Sequence, residues 1–119
     1  MGKQIIKQPD SRFCIFSTNT DDLILCNLNR DEVIEYFSDY PAESQDRLKE
    51  LELVEAGQPA YYQFTMSFVE AVEHRNMVHH NKFYEGHSHV EPEELKQIIE
   101  DQLALLNIKF EDTLFFDED

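Results

Sequence analysis

Two short runs constrain this chain more than anything else in it. Phe13-Cys14-Ile15-Phe16 and Leu23-Ile24-Leu25-Cys26 are apolar at every position. Successive side chains of a strand point to opposite faces, so a strand with one wet face alternates between apolar and polar residues. These runs do not alternate, so a sheet built from them must be covered on both sides. Gln8-Pro9-Asp10-Ser11 ahead of the first run and Thr18-Asn19-Thr20-Asp21-Asp22 between the two supply turn chemistry. With Ile5–Ile6 in front, Gln4–Leu28 reads as a three-stranded antiparallel meander. Helices are expected on one face, and the C-terminal part of the chain or a second subunit on the other. A second turn centred on Thr20 would set Cys14 directly opposite Cys26, with Cβ atoms about 4.5–5.5 Å apart. Two buried reduced thiols are expected there, because a cross-strand bridge departs from preferred disulfide geometry.

The longest helical signal follows, from Asn29 to Gly57. Asn29 and Glu32 have capping-box spacing, and Gly57 suits a left-handed C-cap. Between them Val33, Phe37, Tyr40, Leu48, Leu51 and Val54 recur at helical spacing as an apolar stripe. Glu32, Glu35, Asp39, Glu43, Asp46 and Glu50 recur at steps of three or four and form a line of carboxylates. Pro41 interrupts the stretch. Because both faces keep their phase across it, a kinked but continuous rod is expected, with two helices as the alternative.

Tyr61 to Met66 reads as a strand. Ser67 and Glu70 then form a second capping box, opening a helix to about Val78 with Phe68, Val69 and Val72 on its apolar face. His74, His79, His80, His87 and His89 are all the histidines of the chain. His79, His80, His87 and His89 are the candidates for a divalent metal, although their spacing matches no metal motif. No other cofactor is indicated. Glu91-Pro92-Glu93-Glu94 begins a further helix, with Leu95, Ile98, Ile99, Leu103 and Leu106 as its stripe and Asn107 as its end. The apolar ending Leu114-Phe115-Phe116 is expected to clip onto the core or to enter a subunit contact.

The opening Lys7-Gln8-Pro9-Asp10-Ser11-Arg12-Phe13, with Ile15-Phe16-Ser17 and Asp21-Asp22 after it, resembles a loose group of small bacterial and phage proteins. That group opens with a Gln-Pro-Asp-Gly turn, a strand ending Phe-Ser, an acidic turn and an acidic helix. Ala60-Tyr61-Tyr62-Gln63-Phe64-Thr65-Met66 is similar to its second half. Ser11 stands where the group has glycine. The resemblance covers about half of the chain and implies a phage or mobile-element context, with no activity attached.

The expected architecture is a single α+β domain over residues 1–119. Its antiparallel sheet is begun by the meander and packed by the long acidic helix and two further helices. Charge narrows the function. With 25 acids against 10 bases, the formal net charge is -15. Phosphate recognition needs Lys and Arg, so neither direct nucleic-acid binding nor an anionic membrane is expected. The start runs straight into Ile5–Ile6 with no signal-like apolar region, and no run is long enough to span a membrane. The cytoplasm is therefore the expected location. With no phosphate-binding glycine loop and no nucleophile elbow, enzymatic activity is not expected. The leading reading is a small acidic protein that binds a basic partner such as a nuclease or DNA-binding protein, as a DNA mimic or anti-CRISPR-like inhibitor does. Its contacts would be Glu32, Glu35, Asp39, Glu43, Asp46 and Glu50. The alternative is a homo-oligomeric accessory or structural protein.

Overall fold

The computed structural model describes residues 3–39, 44–58 and 66–116. The expected meander forms. Strands β1 (Lys3–Lys7), β2 (Phe13–Ser17) and β3 (Asp22–Leu28) make an antiparallel sheet in the order β1-β2-β3. The first turn closes with Ser11 at φ 72, a left-handed conformation that glycine enters at lower cost.

Both faces of the sheet are covered, as two-sided apolar strands require. Ile5, Phe13, Ile15 and Ile24 pack under α1 (Arg30–Ser38) and α2 (Ser44–Glu55), against Val33, Phe37, Leu51 and Val54. On the opposite face, Ile6, Cys14, Phe16 and Leu23 pack under α3 (Phe68–His79) and α4 (Pro92–Ala104). The chain is thus an α+β domain whose sheet lies between two pairs of helices. The second cover comes from the C-terminal half of the same chain. The strand expected at Tyr61–Met66 lies outside the described residues except for Met66, which packs against the α3–α4 core.

The long acidic rod is replaced by a helical hairpin. Arg30 opens α1 and Glu55 ends α2, yet Arg30 Nε lies 3.2 Å from Glu55 Oε1. One unbroken helix would hold these residues on the order of 35–40 Å apart. α1 stops at Ser38, and Pro41 supplies the reason: proline disfavours helix in the residue before it and removes a helical hydrogen bond. The two capping boxes form as read, Asn29 with Glu32 and Ser67 with Glu70. Gly57, at φ 72, ends α2: its N–H reaches Val54 O and that of Gln58 reaches Leu53 O.

Cys14 and Cys26 are free, but they are not a simple cross-strand pair. Between the pairs Phe13–Leu28 and Ile15–Leu25, two residues of β3, Cys26 and Asn27, face the single residue Cys14. Asn27 takes the left-handed conformation of this bulge at φ 61. Gln8 holds it there, with its Oε1 accepting from Asn27 N at 2.7 Å and its Nε2 donating to Asn27 Oδ1 at 3.0 Å. Burial pushes the Cys26 thiol up to about 12, so it stays protonated at neutral pH.

Polar groups in the interior join the elements. Arg75, in α3, is fully buried. Its Nε donates to Asp22 Oδ1 at 3.0 Å and its second terminal nitrogen to Asp22 Oδ2 at 3.3 Å. The guanidinium also donates to Asn76 Oδ1 at 2.8 Å and to Lys82 O, and lies 3.9 Å over the Phe83 ring. Asn76 passes the connection to the short 3-10 helix Phe110–Thr113, donating to Thr113 O at 3.0 Å. The C-terminal clip is partial: Asn81 bonds both backbone groups of Phe115, while Phe116 is 71% exposed. No helix among the described residues is long and apolar enough to cross a membrane.

Two measurements follow from these contacts. Arg75→Met leaves a buried carboxylate without its counter-charge, which costs about 3–5 kcal/mol in chemical denaturation. The double variant with Asp22→Leu recovers much of that loss, whereas strictly additive losses would show that the pair is uncoupled. The second concerns Asp10. Burial raises its pKa, but hydrogen bonds from the side chain and backbone of Arg12 and from Gln102 outweigh this and hold it below its usual value. Its folded pKa therefore lies below its unfolded one. The stabilisation is complete above the unfolded value of about 3.9 and is lost as pH falls through the folded value. Asp10→Asn should accordingly flatten the loss of stability below about pH 4 in an acid titration of the melting temperature.

Candidate protein-binding surface

The six carboxylates of the expected binding line meet different fates. Glu32, Glu35 and Asp39 are exposed on or at the end of α1, and Asp46 is exposed on α2. Glu43 lies outside the described residues. Glu50 is buried at 5% exposure. Its Oε2 accepts from Ile5 N at 2.8 Å and its Oε1 from the Arg47 guanidinium at 2.7 Å. Arg47 in turn donates to Lys3 O at 2.8 Å and lies 4.7 Å from the Phe37 ring centroid. The pair completes the open edge of β1, taking the backbone bonds that another strand would take. Glu50 is therefore a structural residue and is removed from the proposed contact set.

Its burial follows from helical phase. Arg47, Glu50, Leu51 and Val54 are spaced i, i+3, i+4 and i+7, and all four are buried. Leu48, placed in the apolar stripe by spacing alone, falls on the flank of that face and is 39% exposed. Ile34 on α1 is likewise 39% exposed. Sequence reasoning missed Ile34 as a surface residue, along with Asp31, Glu52 and Glu55, which are also exposed. Doubling the chain back at the hairpin turns one line of acids into two neighbouring rows. Of the cations on these helices, Arg30 is engaged by Glu52 at 3.9 Å and Glu55 at 3.2 Å, Arg47 is drawn to the sheet, and Lys49 is exposed. Glu35, Asp39 and Asp46 have no ion pair among the described residues.

The histidines serve a different region. His79 Nε2 lies 2.7 Å from Thr20 O, so that nitrogen donates. His74 Nε2 lies 3.3 Å from Asp21 Oδ1 on the same turn. The structure brings His79 to His87, with ring centroids 5.1 Å apart, and sets Tyr84 5.2 Å from His87. His80 turns towards Phe115 instead, at 6.1 Å, and His89 is exposed. The His89 backbone and the Ser88 hydroxyl donate to Ile24 O at 3.0 and 3.3 Å, covering the outer edge of β3. The four metal candidates thus do not converge, and no three His, Cys, Asp or Glu side chains among the described residues are grouped to hold a metal.

No protein-family model, characterised protein or solved structure matches this chain.

The two kinds of carboxylate should separate in a stability assay. Glu50→Lys places a cation against Arg47 and leaves Ile5 N without its acceptor, costing about 3–5 kcal/mol. Glu35→Lys should stay within about 0.5 kcal/mol of the parent. Equal effects in thermal unfolding would contradict the division.

Proposed function

We propose that this chain is a non-catalytic binding protein that occupies a basic protein surface through the outer face of the α1–α2 hairpin. The observation that carries this reading is the set of exposed, unneutralised carboxylates at Glu35, Asp39 and Asp46, beside Glu32 of the capping box. Glu32, Glu35 and Asp39 follow at steps of three and four along α1 and so stand about 5–6 Å apart, a repeat that Lys and Arg side chains can follow, while Asp46 adds a carboxylate on α2. Such side chains line the nucleic-acid tracks of nucleases and DNA-binding proteins. A net charge of -15 draws a basic partner in over long range. The resemblance to small phage proteins adds a context in which an inhibitor of a host defence protein, acting as a DNA mimic, has a role.

Glu32 is left out of the test because its side chain caps α1. Capture from a lysate of the source cells should return a basic protein at low salt and lose it towards 1 M salt, where the screening length falls to about 3 Å. The variant carrying Glu35→Lys, Asp39→Lys and Asp46→Lys should lose that protein while keeping the parent circular dichroism. Unchanged capture by the variant would end this reading. Recovery of only the chain's own copies, at any salt, would favour a homo-oligomeric accessory protein.

A further inference from the structure

Among the described residues, the outer seam of the α1–α2 hairpin is open. A groove of about 230 Å³ runs between the helices, floored by Val33, Phe37 and Leu51 and walled by Ile34 and Leu48. The floor residues are 0–2% exposed, whereas each wall residue is 39% exposed. The volume falls below the roughly 300–1,000 Å³ of small-molecule sites, and suits a large aliphatic anchor better than a whole ligand. Ser38, Gln45 and Arg47 complete the groove's lining, and exposed acids outnumber the exposed cations, Arg30 and Lys49, on the helix surfaces around it. Asp31 and Glu35 stand three residues before and one after Ile34, and Glu52 stands four after Leu48, all exposed. Helical spacing puts Asp31 beside Ile34 and Glu52 beside Leu48, with Glu35 about 100° further round α1; Glu52 also meets Arg30 at 3.9 Å.

We infer that this groove receives an amphipathic basic segment of a partner protein, with a large aliphatic side chain inserted between Ile34 and Leu48 and Lys or Arg on its flanks. The inference rests on the charge reading above and names the chemistry of the partner within it. Charge complementarity selects this occupant. A second copy of the chain would bring its own charge of -15 against these acids. Residues 59–65 contain Tyr61, Tyr62 and Phe64 but no cation to meet them. A basic helix with apolar residues at i, i+3 and i+4 supplies both parts, in the manner of other helix-in-groove contacts.

The test uses two synthetic peptides of equal charge. One carries leucines on one helical face and lysines on the rest; the other has alanine for each leucine. The leucine peptide should bind at least about tenfold more tightly, since burying one such side chain supplies that much. Its addition should shift the methyl resonances of Ile34 and Leu48 in the unsubstituted protein, a readout that needs no variant to fold. Ile34→Ser with Leu48→Ser should abolish the preference for leucine yet leave the alanine peptide bound as before. Glu35→Lys with Asp39→Lys should weaken both peptides. Equal affinity for the two peptides would overturn the groove while leaving the charge reading standing. If the acid reversals changed neither affinity, the charge reading would fall, and the groove inference with it. A leucine preference that survives Ile34→Ser with Leu48→Ser would place the apolar contact elsewhere. Methyl shifts that follow protein concentration or Tyr62→Ser, rather than peptide, would identify a second copy or the chain's own segment as the occupant, and either overturns the inference.

Discussion

The fold depends on one ion pair with no access to water. Asp22 begins β3, and Arg75 lies in the third turn of α3, far along the chain. Their two-pronged contact places the helix at a defined height on the sheet, because a guanidinium fork meets a carboxylate in few orientations. An isolated buried charge costs several kcal/mol, so the pair is tolerated only with its remaining polar atoms satisfied. Asn76, Lys82 O and the amide of Leu23 supply those contacts, and the Phe83 ring covers the guanidinium face. Asn76 then reaches Thr113, so one polar cluster registers strand, helix and C-terminal segment together. The apolar contacts around it are less directional and would tolerate small slides that this cluster does not.

Among the described residues the sheet raises a second problem, two edges with no further strand beside them. A small sheet with free edges invites pairing with other chains. Here each edge is closed by a different device. On β1, Arg47 and Glu50 meet Lys3 O and Ile5 N with side chains. On β3, Ser88 and the His89 backbone meet Ile24 O. Both devices use residues that look functional in isolation, an acid from a charge row and a segment rich in histidine. Their polarity answers a demand of the backbone.

Much of the local structure was legible in the sequence. The meander, its two covered faces and both capping boxes follow from patterns within a few residues of one another. The hairpin was less legible. Both faces keep their phase through Pro41, so periodicity cannot distinguish a rod from two helices folded together; only the meeting of Arg30 with Glu55 decides it. The bulge at Asn27 was equally hidden, since it depends on Gln8 reaching across from the far side of the sheet. At the proposed surface, Glu32, Glu35, Asp39 and Asp46 are exposed as periodicity suggested, while Glu50 is not.

What the sequence by itself determined was the chemistry available: strands needing two covers, helices with defined starts, and a large excess of negative charge. Those properties arise from side-chain type and short-range spacing, which the chain carries whether folded or not. Tertiary structure alone decided which carboxylates face water and which serve the fold. It also decided that Ile34 and Leu48 line one groove between α1 and α2. Both outcomes depend on α2 turning back along α1, and that reversal brings together residues whose separation in sequence carries no trace of it.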